Sequence, residues 1–231
     1  MAMDKNIQRS QEITAQAFAR VKPLLRVGMS EREIAQLVKK VLLDEGAQKL
    51  AFPTIAALTA NAAEPHHVPT DRRAKVGDLL VLDMGGVYGG MRSDMTRTVF
   101  FGPPKAEHRK WYELVLEAQR LAFCAVRASR TGTEIDAIAR DYLTSQGYGK
   151  YFIHSLGHGV GRAIHQPPWI SPRKGANVLR SGDAITIEPG VYLRGRGGIR
   201  IEDTCEVQAR GARWLTPTQR HISRMVLQIK S

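Results

Sequence analysis

Four carboxylates in this sequence of 231 residues recur at matched places in two similar stretches. Asp83 ends the apolar run of "GDLLVLDMGGVY" (77–88), and Glu188 ends that of "GDAITIEPGVY" (182–192). A second acid follows each one, Asp94 in "RSDMT" and Glu202 in "RIEDT". Side chains alternate across a strand, so Leu79, Val81 and Asp83 share one face, and Asp94, Thr96 and Thr98 share a face of the next strand. The glycine-rich stretch 84–93 can turn the chain back and make Asp83 and Asp94 cross-strand neighbours. Gathered carboxylates repel one another, and burying them uncompensated costs several kcal/mol each. One or two divalent cations remove that penalty. Any single acid here reads as a solvent-facing residue at a hairpin end, but four at matched positions point to metal ligation.

Histidines supply the other donor type. In "YFIHSLGHGVGRAIHQPP" (151–168), His154 and His158 lie four apart, a zinc-site spacing if the segment were a helix. Gly157, Gly159 and Gly161 argue for a loop or strand that lets backbone approach a site. His165 follows just before Pro167-Pro168. An oxygen-rich set with one or two imidazoles suits Mn²⁺, Co²⁺, Fe²⁺ or Zn²⁺ better than a thiolate-bound metal. Cys205 lies near Glu202 in sequence but faces away by strand parity.

The elements that must carry these residues also come in two copies. "SEREIAQLVKKVLLDEG" (30–46) spaces Ile34, Leu37, Val38, Val41 and Leu42 as one helix face, with Ser30 and Glu33 as a capping box and Gly46 as the stop. "TEIDAIARDYLTSQG" (133–147) repeats the pattern with Ile135, Ile138, Ala139, Tyr142 and Leu143, with Thr133 and Asp136 at the cap and Gly147 as the stop. A longer helix is expected before each, over about 5–26 and 105–129. The chain therefore reads as one duplicated α+β domain over 1–231, with halves of about 1–103 and 104–231. A pseudo-twofold axis between the halves would bring the matched acids together.

The formal net charge is +12, yet the Lys and Arg residues are scattered with no basic run and no aromatic interleaving, which argues against a nucleic-acid partner. No stretch approaches the length of a membrane span, and the polar start "MAMDKNIQRSQE" lacks a secretory core. With only Cys124 and Cys205 there is no disulfide framework, and a cytoplasmic location is expected.

The order Asp83, Asp94, His158, Glu188, Glu202 resembles the five-ligand pattern of the pita-bread metallopeptidases, which include methionine aminopeptidase, aminopeptidase P and prolidase. The resemblance runs from about residue 9 to 225. It implies a duplicated α+β fold with a curved antiparallel sheet flanked by helices. It also implies two divalent ions, Mn²⁺ or Co²⁺ with Zn²⁺ or Fe²⁺ as alternatives, that activate a water. "HSLGHGVGRAIHQPP", "IEPGVY" and "GGIRIEDT" are more similar to the proline-specific branch. That implies hydrolysis of the amino-terminal bond of short Xaa-Pro peptides, with methionine aminopeptidase or a non-catalytic binding module as other readings. By the same resemblance Asp94 and Glu202 are shared between the ions, Asp83 completes one, and His158 with Glu188 completes the other. Glu188 moves the proton, while His66 and His165 act on the scissile peptide and the tetrahedral intermediate. His154 and Arg200 shape the substrate pocket or support the ligands, and His67 matches no family role. The proline-specific enzymes usually carry a further N-terminal domain. Its lack here suggests that a homodimer partner would cover the cleft. Arg173 or Lys174 is the candidate to hold a substrate carboxylate.

Overall fold

The computed structural model describes residues 4–228, so the first three residues of the polar opening stretch lie outside it. Helix α1 spans Lys5–Val21, and the Asp4 side chain caps it by accepting from the Asn6 N–H. The expected helix over 5–26 is cut short by Pro23, which has no N–H and crowds the carbonyl four residues back. The chain instead tightens into a 3-10 turn over Lys22–Leu24. Helix α2 spans Glu31–Asp44 with the expected reciprocal Ser30–Glu33 cap. Its inner face buries Ile34, Val38, Val41 and Leu42, with Leu37 half-buried beside them.

Strands β1 (Lys49–Leu50), β2 (Ile55–Leu58), β3 (Leu79–Met84), β4 (Gly86–Tyr88), β5 (Met91–Arg92) and β6 (Met95–Phe101) complete this half. β2, β3 and β6 pair antiparallel, and every residue of β3 and β6 is buried. Between them, the glycine-rich stretch is no simple turn. β4 and β5 form a small hairpin of their own that pairs with β1.

The second half opens with α3 (Ala106–Ala125), four residues shorter at its end than expected, and α4 (Gly132–Ser145). The cap of α4 is Thr131 with Glu134, not Thr133 with Asp136. Both pairs have capping-box spacing, and packing decides between them. A Cβ on Gly132 would lie 2.9 Å from the Trp169 carbonyl carbon, so the first turn sits tight against the next strand layer. Asp136, thereby inside the helix, accepts from Arg140 and from the Leu156 N–H. Strands β7 (Gly157–Gly159), β8 (Gln166–Ile170), β9 (Ala184–Ile187), β10 (Gly190–Leu193), β11 (Gly197–Arg200), β12 (Asp203–Gln208), β13 (Gly211–Trp214) and β14 (Val226–Leu227) follow.

A five-stranded antiparallel sheet of order β13-β12-β9-β7-β8 belongs to this half, and β10 pairs with β11 in a separate hairpin. β14 crosses back to lie parallel to β6, so the first-half sheet has the order β14-β6-β3-β2. The helices pack on these sheets around one main core that includes Phe18, Leu82, Phe100, Trp111, Ile185 and Ile201. Among the described residues, no helix is long and apolar enough to cross a membrane.

Candidate metal centre

The two acid pairs meet where the sheets of the halves approach. Asp83, the last residue but one of β3, stands opposite Thr96, so Asp94 lies diagonally beyond it, just before β6. In the second half the last ladder pair is Ile187 with Asp203. Glu188 and Glu202 continue that register one residue past the ladder and stand opposite each other. Three of the four acids therefore sit just off strand ends instead of within strands. Their backbone groups leave the ladder to bond elsewhere: the Glu202 N–H donates to Thr96 O at 3.1 Å and the Glu188 N–H to Leu156 O at 2.8 Å. The first of these ties a second-half acid directly to a first-half strand.

Asp83, Asp94, His158, Glu188 and Glu202 all line one cleft of about 530 Å³, together with His66, His154, His165 and Arg200. Asp94, His158 and Glu202 each offer a donor atom within 4.8 Å of the others. Glu188 Oε1 lies 3.2 Å from His158 Nε2, and Asp94 Oδ2 lies 3.7 Å from it. Asp83 stands further aside, paired through Oδ2 with Arg200 at 2.8 Å. Its buried Oδ1 has no hydrogen-bond partner.

The charges explain why these groups need a cation. Burial pushes the Asp94 carboxyl well above its ordinary range, and the charges of Glu202, Asp83 and Glu188 push it further. Glu202 is raised well above its range by burial and by Glu188 and Asp83, and Asp83 is raised by burial despite Arg200. At Glu188 burial acts upward too, but the hydrogen bond and charge of His158 outweigh it and hold the carboxyl at about 2. His158 is raised in turn, because Glu188 outweighs the effect of burial. The His158 Nδ1–H points at Gly159 O at 3.1 Å, which leaves Nε2 for a ligand. Clustered oxygen donors, one oriented imidazole and an orphaned buried carboxylate oxygen fit a hard or borderline divalent metal.

Several supporting residues escape a reading of the sequence. The Thr186 hydroxyl accepts from the His158 N–H at 3.0 Å and bonds Glu188 Oε1 at 3.1 Å, so it spaces two donors. Thr96 Oγ1 donates to Glu202 Oε2 at 2.6 Å and accepts from Arg200 Nε at 3.0 Å. Tyr192 OH joins His154 Nε2 and Arg200, each at 2.9 Å. The available signal was strand parity, since Thr186 stands two residues before Glu188 and Thr96 two after Asp94. Behind the site, buried Arg97 donates to the carbonyls of Thr96 and Glu202 and pairs with Asp203 at 2.5 Å.

His165 stacks edge-on against His158 with ring centroids 4.4 Å apart. Burial and the charge of His158 hold it below its ordinary range, so it is a neutral donor near pH 7. His154 is likewise lowered, by burial. His66 stands exposed in the cleft, whose apolar wall includes Phe52, Ile55, Val68, Ile164 and Trp169. Arg173 and Lys174 do not line it, and the Lys174 ammonium lies 5.7 Å over the Trp169 ring instead.

The model of metallopeptidase family M24 matches residues 5–209. The Xaa-Pro dipeptidase of Pyrococcus furiosus is 44% identical over 216 residues, which cover 94% of this chain and 62% of that protein. Among solved structures, the Xaa-Pro dipeptidase from Bacillus anthracis superposes with a TM-score of 0.94 at 37% identity, covering 96% of this chain and 62% of the other. The X-Pro aminopeptidase from Thermotoga maritima gives a TM-score of 0.93 at 38% identity, with 96% and 62% covered. The chain thus spans about 62% of the length of these relatives.

Proposed function

The chain belongs to metallopeptidase family M24 and has its pita-bread fold, and on that premise we propose that it hydrolyses the bond between an amino-terminal residue and proline in short peptides. The observation that carries this reading is the joining of five ligand-type side chains with four further histidines, His66, His67, His154 and His165, in one cleft. Asp83, Asp94, His158, Glu188 and Glu202 hold two divalent ions, with Mn²⁺ or Co²⁺ suited to the oxygen-rich set. Bound ions supply a polarised scissile carbonyl and a water acidic enough to attack it near neutral pH.

The protein groups do the rest. Glu188 takes the proton of the attacking water and delivers it to the leaving nitrogen. The Thr186 hydroxyl holds its Oε1 at 3.1 Å and so fixes the carboxylate in the cleft. His165, neutral and set against His158, donates to the developing oxyanion, and His66, which lines the same cleft, does so as well. Arg200 and Tyr192 keep Asp83 and His154 in place. The apolar wall receives the proline ring, whose fixed φ suits a preformed surface.

Substrate length follows from charge. Arg200 is the only arginine or lysine among the described cleft-lining residues, and it is engaged with Asp83, Thr96 and Tyr192. A dipeptide carboxylate gains no free cation there, so Xaa-Pro-Xaa peptides are cleaved at least as well as Xaa-Pro. The relatives include both an Xaa-Pro dipeptidase and an X-Pro aminopeptidase. The test gives Mn²⁺- and Co²⁺-loaded protein Ala-Pro, Ala-Pro-Ala and Met-Ala-Ser in parallel. Free alanine from Ala-Pro-Ala is the expected product. Release of Met from Met-Ala-Ser without any cleavage before proline would overturn the proline reading.

A further inference from the structure

Glu31, the first residue of α2, is a fully buried carboxylate that does not line the cleft, and the proposed chemistry leaves it unused. It accepts five hydrogen bonds, all from one segment. Oε1 takes the Leu58 N–H at 2.8 Å and Asn61 Nδ2 at 2.9 Å. Oε2 takes His67 Nε2 at 2.8 Å, the Thr70 N–H at 2.9 Å and Thr70 Oγ1 at 2.6 Å. The donors begin at residue 58 and end at residue 70, and between them the chain carries His66 into the cleft. Backbone bonds Glu31 N–H to Arg72 O at 3.0 Å and Arg32 N–H to Thr70 O at 3.1 Å fasten the same helix end to the same segment.

His66 itself is exposed and makes no hydrogen bond among the described residues, so its place depends on its neighbours. On one side the Pro65 carbonyl accepts from Arg200 at 3.3 Å, and on the other His67 is held by Glu31. We propose that Glu31 and His67 are positioning residues: their carboxylate–imidazole contact sets the backbone that presents His66 to the substrate. This gives His67 a role that no motif suggested, and it rests on the reading of His66 given above. A catalytic group displaced by about 1 Å loses on the order of a hundredfold in rate. Losing one of five anchors displaces it less, so a fall of about tenfold is expected.

Glu31→Gln is a poor first probe. In either amide orientation its NH₂ faces a backbone N–H, of Leu58 or Thr70, that cannot accept, and the variant could fail to fold. His67→Ala removes one donor and leaves four, while His67→Gln restores an amide N–H of similar reach. These two, His66→Ala and the double variant His66→Ala/His67→Ala are loaded with Mn²⁺ and compared by metal content, Tm, kcat and KM on Ala-Pro-Ala. The expected result for His67→Ala is full metal, a near-normal Tm and a kcat lowered about tenfold, with recovery in His67→Gln. The double variant should then turn over no more slowly than His66→Ala. Wild-type kcat in His67→Ala, or an undiminished further fall in the double variant, overturns the positioning role while His66→Ala remains impaired. Wild-type turnover in His66→Ala instead removes the role of His66, and this inference with it.

Discussion

Replacing Gly157 by alanine tests whether the spacing of β7 and β9 sets the metal site. A Cβ there would lie 2.8 Å from the Thr186 carbonyl carbon and 2.9 Å from its hydroxyl, with the carbonyl oxygen nearer still. Ordinary contacts between carbon atoms run at about 3.5–4.0 Å, so the strands must part by about 1 Å. Such overpacking costs about 1–3 kcal/mol. At about 2–4 °C per kcal/mol for a chain of this size, Tm falls by roughly 2–12 °C. The same movement pulls His158 from Thr186, whose hydroxyl bonds both the His158 N–H and Glu188. A displacement of about 1 Å at a reacting centre costs on the order of a hundredfold in rate. The control is Gly195→Ala, where φ is +76° and no atom lies within 4 Å. That variant strains a turn and lowers Tm without touching the site. Thermal unfolding, metal content and Ala-Pro-Ala turnover are measured on both. Gly157→Ala should lose metal or turnover far beyond Gly195→Ala at matched stability. Equal metal and turnover in the two would refute the reasoning.

Asp94→Ala should bind at least one metal equivalent fewer than wild type. Mn²⁺ at about a hundredfold over its Kd should raise wild-type Tm by roughly 5–11 °C, from about 2.7 kcal/mol of binding, and the variant should respond less. Full metal in the variant would contradict its place among the ligands. Asp203→Leu strands buried Arg97 and half-buried Arg220 without their carboxylate, and should cost about 3–5 kcal/mol by denaturant unfolding. A cost near zero would show that the pair does not join the halves. The Glu31 carboxyl is pushed up by burial, but the donors from Leu58, Thr70 and His67 prevail and hold it below its ordinary range. Its stabilisation is thus complete above the unfolded value of about 4.3 and is lost as pH falls through the lower folded value. If Glu31→Gln folds, its stability gap to wild type should narrow below about pH 4; a gap constant down to pH 3 would contradict this.

Local rules reached the helices and the strand-borne acids because those signals act within a few residues. The Ser30–Glu33 box, the apolar face of α2 and the order of the five ligand candidates are all local patterns. Even there, two overlapping cap spacings in α4 could not be ranked until Gly132 met Trp169. The helix that pattern extended to residue 26 ends instead at Val21, two residues before Pro23, a local signal that periodicity overrode.

Chemistry-bearing residue types and the doubling of the design were written in the chain, because each motif repeats its own residues at its own spacing. Distances between the copies were not. Strand parity placed Asp83 and Asp94 on neighbouring strands, but the register that sets Asp83 opposite Thr96 comes from the extra β4–β5 hairpin. Arg200 shows the same limit: a motif named it for the pocket, yet only folding brings it to Asp83, 117 positions away. Glu31 gave no sign at all, since a glutamate in a helix's first turn is ordinarily a solvated partner of the dipole. What buries it is the segment 58–70 arriving with five donors, and the energy of that meeting depends on geometry that no local spacing encodes.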